Sequence, residues 1–370
     1  MWLDAKTEED VKKLIKKGHD VNEKIYLTDR YYGTPLHCAK NEIVTKALLD
    51  HGADVHARNE YDRTPLHYAK NEAQTKILLD YGADVHARDK RNYTPLHDVE
   101  AHEKYAYRPL YYAKTEGQMK LLLDAGADVN ARNNFKETPL HLAKTEGQIK
   151  LLLKYGADVN AKGGCGSKTL LHYTDTENKM KLLLNAGADV NAKAHQNETP
   201  LYYAKTIGQM KLLLEAGADV NAKTDYNETP LHQAETVGQI RLLIDAGADV
   251  NILSLYIPSL KKLRILLEHG ANVNATNDYG DTFLHRVCER SWESEKKTKL
   301  LLDHGADPLI KNKKGKTALE IAKWKHLNVL LDHGVKYPKK EIHELTLDEC
   351  RFIMKIKSSF DHETQKKFFD

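Results

Sequence analysis

A block of about 30 residues recurs along most of this chain, and a fixed period in that range confines the fold to a repeat array. The clearest copy, TPLHLAKTEGQIKLLLKYGADVNAK, starts at Thr138, and close variants start at Thr199 and Thr229. Threonines opening the tetrapeptide stand at 34, 64, 94, 138, 169, 199, 229, 282 and 317. Glycines of the following GADVN-like segment stand at 52, 82, 126, 156, 187, 217, 247, 270, 305 and 334. In such an array each unit packs on its neighbours, so the 370 residues are expected to form one solenoid rather than two or three globular domains.

Within one unit, Thr138 suits a helix N-cap and Pro139 the first helical position, where the missing N–H had no partner. Leu140 and Ala143 lie three apart, on one face of a short helix. Gly147 is expected to close that helix and a second to begin near Gln148. There Ile149, Leu152 and Leu153 form the apolar face, and Gly156 supplies a left-handed stop. Neither helix reaches the ~12–15 residues that an isolated helix needs, so stacking is obligatory.

The tetrapeptide with this helix pair resembles the ankyrin repeat from about residue 4 to residue 335. Thr-Pro-Leu-His is intact at 34–37, 64–67, 94–97, 138–141 and 229–232; variants are RPLY at 108–111, TLLH at 169–172, TPLY at 199–202, TFLH at 282–285 and TALE at 317–320. The resemblance implies an all-α repeat solenoid of stacked helix pairs joined by β-hairpin loops, with a non-repeat helical segment at the C-terminal end. Two residues before the threonine stand Asp62, Asn92, Asn197, Asn227, Gly280 and Gly315, types that tolerate the positive φ of a hairpin turn. The period falls short of the family's ~33 residues. The shortfall is placed between the glycine and the LLL run, in the second, outer helix.

Four stretches follow from the pattern. Residues 1–29 form a capping half-repeat, with Lys12, Lys13, Lys16 and Lys17 either a solvated cap or a patch for an acidic partner. Residues 30–251 form the regular array, with an insertion near 94–107 that is either a tolerated loop or a binding finger. Residues 252–337 are degenerate repeats, where the lost tetrapeptide after Asn251 predicts a weak joint. Residues 338–370 abandon the period; Leu345, Leu347, Phe352, Ile353 and Ile356 suggest an amphipathic helix serving as a cap or tail. Pro338, Glu341 and Ile342 only faintly echo the F-box-like segments that follow some ankyrin arrays in pathogens.

The residues point away from catalysis and cofactors. Nineteen histidines invite a metal reading. His37, His67, His97, His141, His172, His232 and His285, however, share one repeat position, where the resemblance implies hydrogen bonds to the threonine and neighbouring backbone. No Cys-x-x-Cys or His-Glu-x-x-His occurs, so no metal is expected. GGCGSKT at 163–169 lacks the Gly-Lys-[Ser/Thr] of a phosphate loop, so no nucleotide or other cofactor is expected. Cys38, Cys165, Cys288 and Cys350 are far apart, as free thiols in a reducing, cytoplasmic compartment would be. The charged start and the absence of a long apolar run predict neither a signal peptide nor a membrane span. A formal net charge of +3 argues against nucleic acid as ligand.

What varies between units must carry specificity, and in ankyrin-like arrays the resemblance places this at the hairpin tips and the exposed face of the inner helix, lining a concave groove. Tyr61, Phe135, Tyr226 and Tyr279 stand three before the threonine, with Tyr93 nearby. Each ring is either a partner anchor or a cover for the next hairpin. Lys40, Lys70, Lys114, Lys144 and Lys205 follow the inner-helix alanine, interrupted by Asp175 and Glu235. They form either a solvated face or a basic stripe for an acidic protein.

The expected function is a monomeric, non-enzymatic scaffold binding a protein partner. Units in the AKTEGQ style are similar to those of intracellular bacteria that live in eukaryotic cells, which brings in a host-directed effector. The alternative is an adaptor that recruits a degradation or modification machine through 338–370.

Overall fold

The computed structural model describes residues 1–28, 31–97, 115–164, 166–251, 258–290 and 295–335. Lys114, Cys165, Trp292, Cys350, the inserted residues from 98 on and the 338–370 tail lie outside them.

The unit at 138–161 shows how the local sequence is used. Thr138 is extended (φ −101°, ψ 166°) and Pro139 opens a helix of only 4 residues, Pro139–Leu142. Ala143 has already left it (φ −66°, ψ 128°). The second helix, Glu146–Lys154, has 9 residues. Its start is set by Thr145, whose hydroxyl accepts from the Gln148 N–H (3.1 Å) while its own N–H donates to Gln148 Oε1 (3.1 Å). Gly156 ends it at φ 87°, with the Ala157 N–H reaching back to the Leu152 carbonyl (3.0 Å). Leu140, Ile149 and Leu152 are buried to within 1% and form the unit's share of the core.

Two sequence expectations are corrected here. Gly147 does not close the first helix; it is the second residue of the second. The shortened helix is therefore the first, inner one, and the outer helix keeps two and a half turns. The capping box at Thr145 decides this, because it claims Glu146 and Gly147 for the outer helix.

The chain divides into two compact units, described separately: Met1–Ala204 with Glu215–Ala218, and Lys205–Leu214 with Asp219–Asp370. The first begins with the helix Glu8–Lys16, capped by Thr7, which buries Val11 and Leu14 and leaves Lys13, Lys16 and Lys17 exposed, as a cap requires. An antiparallel hairpin, Ile25–Thr28 with Tyr31–Gly33, precedes the first complete repeat. The pairs Pro35–Cys38 and Glu42–Asp50, Pro65–Tyr68 and Glu72–Asp80, Pro139–Leu142 and Glu146–Lys154, and Leu170–Tyr173 and Glu177–Asn185 follow, with Glu116–Asp124 and Pro200–Tyr203 from the units between and after. In the second unit the helices Leu260–Glu268, Phe283–Glu289, Glu295–Asp303, Ala318–Ile321 and Trp324–Asp332 enclose a core of Leu263, Phe283, Leu284, Val287, Leu301 and Leu330.

Three tethers couple successive repeats. The first runs through the repeat histidine. The Thr138 N–H donates to His141 Nδ1 (3.1 Å), and His141 Nε2 faces the Lys168 carbonyl of the next hairpin (3.4 Å). The same geometry joins His37 to Arg63, His67 to Tyr93, His97 to Glu137, His172 to Glu198 and His285 to Lys316. An acceptor at Nδ1 and a donor at Nε2 select the neutral Nε2–H tautomer. The second tether is a buried glutamine. Gln118 Nε2 donates to the Ala69 carbonyl (2.9 Å) and Thr75 Oγ1 (3.2 Å) of the preceding repeat, and Gln74 does the same to Ala39 and Thr45. The third is an asparagine ladder: Asn130 Nδ2 donates to the Gly156 carbonyl (3.1 Å), and its Oδ1 accepts from the Asp158 N–H (2.8 Å).

These contacts explain the AKTEGQ signature. Glutamine reaches the alanine carbonyl one repeat back, threonine caps, and the glutamate folds over the next repeat. Glu116 accepts from the Thr145 hydroxyl (3.3 Å) and lies where a side chain on Gly147 would have to go; Glu72 stands in the same relation to Thr115 and Gly117. In the degenerate repeat the glutamine is replaced by Lys262, whose Nζ donates to the carbonyls of His232 (2.8 Å) and Ala234 (3.1 Å). Coupling at the expected weak joint thus persists in another chemistry, and burial pulls the Lys262 ammonium down to about 8.

Gln118→Leu should therefore lower stability by about 1–3 kcal/mol, because it removes two buried hydrogen bonds to the preceding repeat, at the Ala69 carbonyl and the Thr75 hydroxyl. Urea denaturation would measure this, and an unchanged midpoint would show that the tether contributes nothing. The histidines add a pH dependence. Burial lowers the pKa of His37, His141, His172 and His232, and holds His97 at about 4. As pH falls below the ordinary histidine value of ~6.5, the unfolded chain takes up protons that the folded chain refuses. Stability should be full above that value and decline between pH 6.5 and 4, with His97 alone worth on the order of 3 kcal/mol. Urea midpoints at pH 8, 6.5, 5.5 and 4.5 would follow the decline, which must begin above the carboxylate range.

Candidate protein-interaction surface

The hairpin tips are built as small polar cradles. Asn133 Oδ1 accepts from the N–H groups of Phe135 and Glu137 (both 2.9 Å), while the Asn133 N–H donates to the Glu137 carbonyl (3.0 Å). Asn59 holds Tyr61 and Arg63 in the same way, Thr224 holds Tyr226 and Glu228, and Asn277 holds Tyr279 and Asp281. One residue past the aromatic, the chain turns through positive φ: Asp62 at 59°, Lys136 at 61°, Asn227 at 59° and Gly280 at 75°. Asn92, Asn197 and Gly315 share this conformation, as their types predict. The tips are also fastened to the following repeat, since the Lys90 N–H donates to the Tyr61 carbonyl (2.9 Å), Gly164 to Phe135 (2.9 Å) and Lys313 to Tyr279 (3.0 Å).

The backbone of the Phe135 and Tyr279 tips is fastened on both sides, and three of the rings face solvent. Phe135 is 48% exposed, Tyr226 69% and Tyr279 64%. The other two are half-buried. Tyr61 lies beside the Arg63 guanidinium, 5.9 Å from its ring centre. Tyr93 packs edge-on against His97 (5.5 Å between ring centres), and burial raises its phenol pKa. Tyr93 sits directly before its threonine, on the return arm of the hairpin, where its carbonyl faces His67; that register turns it inward.

The lysine row is displaced from the position expected for it. The inner helices stop at Cys38, Tyr68, Leu142 and Tyr203, so Lys40, Lys70, Lys144 and Lys205 lie in the link after an extended alanine, not on the helix. Lys40, Lys144 and Lys205 are exposed; Lys70 is half-buried and its pKa is lowered by that burial. The N–H groups of Lys70, Lys144 and Lys205 donate to the glutamine four residues on, which fixes the link.

Sequence reasoning passed over the last residue of the inner helix. Tyr68, Tyr173 and Tyr203 recur there, directly after the tetrapeptide, and this register was the available signal. Tyr68 accepts from Asn59 Nδ2 (2.8 Å), Tyr173 is 45% exposed, and Tyr203 carries the Lys168 ammonium 3.8 Å above its ring. Exposed Ile207 and Val237 also stand where other repeats carry a glutamate that folds over its neighbour.

A family model described as ankyrin repeats (3 copies) matches residues 3–89, 75–163, 110–194, 171–254 and 256–341. The chain belongs to the ankyrin repeat family. Among solved structures it is similar to the ankyrin repeat domain of Bcl-3, described as a unique member of the IkappaB protein family, with 27% identity. That match covers 57% of this chain and 98% of the other at a TM-score of 0.47. Comparison with curated proteins finds no match. Ankyrin repeats are protein-interaction modules, and nothing among the described residues of this array forms a cluster of metal-ligating side chains. Among those residues no helix is long and apolar enough to cross a membrane.

Among the described residues, Lys136 carries the one such tip turn on a long side chain; the others stand on aspartate, asparagine, serine or glycine. Lys136→Gly should raise stability by about 1 kcal/mol by removing that left-handed strain. A lower thermal midpoint would show instead that the lysine side chain holds the tip.

Proposed function

We propose that this chain is a non-enzymatic ankyrin scaffold that binds a protein partner through its hairpin tips and the surface at the exits of its inner helices. The observation that carries this reading is the exposure of Phe135, Tyr226 and Tyr279 on tips held in side-chain cradles, with those of Phe135 and Tyr279 also bonded to the following repeat. Rings held in solvent at a fixed position lose little entropy on binding, and aromatic residues dominate interface hot spots. The free thiols of Cys38 and Cys288 support a reducing compartment: burial pushes the Cys38 thiol up to about 11 and Cys288 up to about 12, so both are protonated and inert. The AKTEGQ style of the repeats supports a host-directed effector as the finer reading, and the partner is a protein rather than nucleic acid or membrane. The scaffold acts as a monomer.

The test is a quantitative pull-down from eukaryotic and bacterial lysates with the intact chain and with Phe135→Ala/Tyr226→Ala/Tyr279→Ala. A discrete protein should be captured by the intact chain and lost about tenfold or more by the variant. Equal capture by both would remove the tips from the reading. Both proteins must show the same thermal unfolding for the comparison to count.

A further inference from the structure

The hairpins of the first compact unit carry two classes of arginine. Arg63, on the return arm of its hairpin, is half-buried and pairs with the buried Asp89 (2.9 Å). Arg58, Arg88 and Arg132, at the entry to theirs, are exposed and reach forward. The Nη1 group of each donates to the main-chain carbonyl of the corresponding residue one repeat on, at Arg88 (2.9 Å), Arg132 (3.0 Å) and Lys162 (3.0 Å). Lys162 Nζ extends the series to the Lys193 carbonyl (2.8 Å). Arg88 bonds directly to the Arg132 carbonyl, so the row consists of described residues throughout. An arginine held by one nitrogen keeps its other N–H donors at a fixed place, in a planar fork that suits a carboxylate.

Part of this row surrounds an exposed ring. The Asn134 N–H donates to the Arg91 carbonyl (2.9 Å), Asn92 Nδ2 to Asn134 Oδ1 (2.6 Å), and the Gly164 N–H to the Phe135 carbonyl (2.9 Å), which zips three successive hairpins edge to edge. Phe135 stands 48% exposed on the middle one, with exposed Arg91 and Lys136 on the same zipped edge. Among the described residues, no carboxylate lies within ion-pair distance of Arg88, Arg91, Arg132, Lys136 or Lys162. The acids of these hairpins are engaged elsewhere: Asp89 pairs with Arg63, and Glu137 accepts from Asn133 Nδ2 (2.9 Å). Tyr226 and Tyr279 differ in this respect, since each follows an aspartate, Asp225 and Asp278.

A second row sets the width of the basic strip. Asp84, Asp128 and Asp158 stand exposed four residues before Arg88, Arg132 and Lys162, and each folds its Oδ1 onto the backbone N–H two residues on (2.8, 2.9 and 2.9 Å). One extended peptide can follow the basic row without crossing the acidic one, whereas the two phosphate rows of a duplex would meet both. Single-stranded nucleic acid stacks successive bases on several rings, and the preceding tip rings, Tyr61 and Tyr93, are half-buried.

We infer that Phe135 with Arg88, Arg132 and Lys162, flanked by Arg91 and Lys136, forms a seat for an acidic protein segment that sets an apolar residue against the ring. The inference rests on the scaffold reading above and names the chemistry of the partner. Carboxylates of the segment meet the prepositioned guanidinium and ammonium groups, and its apolar residue covers Phe135. Glu60 and Asp62 on an earlier tip repel such a segment and bound the seat at that end.

The test uses the full chain and fluorescence anisotropy with four labelled probes: a 12-residue polyglutamate with one central Trp, the same peptide with Ala for Trp, a polylysine with the central Trp, and a 12-nucleotide polythymidylate. The Glu/Trp peptide should bind, with affinity falling as salt rises, and the Lys/Trp peptide should not. Arg91→Glu/Lys136→Glu leaves the carbonyl bonds of Arg88 and Arg132 in place and should weaken the Glu/Trp peptide by about tenfold or more. Lys46→Glu/Lys120→Glu, on outer helices, makes the same change in net charge and should leave it unchanged. Phe135→Ala should weaken the Glu/Trp peptide by about fivefold and the Glu/Ala peptide hardly at all. Circular dichroism melts of each variant separate lost binding from lost fold. The inference is overturned if the Glu/Trp peptide does not bind, if the two double reversals act alike, if both charged peptides bind alike, or if polythymidylate binds more tightly than the acidic peptide and loses as much in Arg91→Glu/Lys136→Glu. Applying Arg91→Glu/Lys136→Glu to the pull-down keeps the two readings apart. A partner lost by the tip variant but kept by this double reversal leaves the scaffold standing and removes the acidic seat.

Discussion

A helix of four residues cannot satisfy its own backbone, and that constraint organises this protein. An α-helix leaves its first N–H groups and last carbonyls without internal partners, so a helix such as Pro139–Leu142 is made almost entirely of ends. Proline removes one donor, and the histidine ring answers the N–H of the capping threonine from within the unit. In the unit of Pro65–Tyr68 the next repeat supplies a further partner, the Gln118 amide reaching back to the Ala69 carbonyl. Stacking is thus required by hydrogen bonding as well as by apolar burial. A unit taken from its neighbours would lose its partners as well as its core.

The tethers are polar and buried, which gives them a second effect. A buried polar group is costly when its partner is missing, so each histidine and glutamine penalises any arrangement of neighbours but one. Leu122, Leu152, Leu183 and Leu243 could pack against many apolar surfaces, since dispersion and hydrophobic burial have little directionality. The histidine demands a carbonyl in a defined direction. The core supplies cohesion, while the polar seam supplies register. This division explains how a shortened repeat keeps an ordered stack, and why the degenerate repeat replaces its glutamine with Lys262, a group that still reaches the same carbonyl position.

The same seam prepares the surface. The hairpins are held by side-chain cradles and, at Phe135 and Tyr279, by backbone bonds to the following repeat. Phe135, Tyr226 and Tyr279 stand in solvent, whereas Tyr93, one register away, is drawn onto His97. The glutamine that ties repeats together also accepts from the N–H of the link lysine four residues before it, so one six-residue signature sets both the tether and the course of the link.

The repeat architecture, the helix pairing, the role of the histidines and the left-handed turns at Asp62, Asn92 and Gly280 were all legible in the sequence, because each depends on a residue type at a fixed offset from its neighbours. Periodicity makes such local rules visible many times over. The division between the two helices was not legible, since AKTEGQ contains both a glycine that can end a helix and a Thr-x-x-Gln box that can start one. The choice between them rests on Gln148 serving Thr145 within the repeat and on Glu116 lying over Gly147, a contact that exists only once repeats are stacked. Exposure was undecided for the same reason. Tyr61, Tyr93, Phe135, Tyr226 and Tyr279 have the same claim to be anchors when read as letters, and only packing against Arg63 or His97 separates them. By itself the sequence determined which units form and that they must stack, because those follow from local stereochemistry; tertiary structure decided where each helix begins and which side chains face solvent, because those depend on which of several competing contacts the folded chain makes, some of them, as between Glu116 and Gly147, a whole repeat apart.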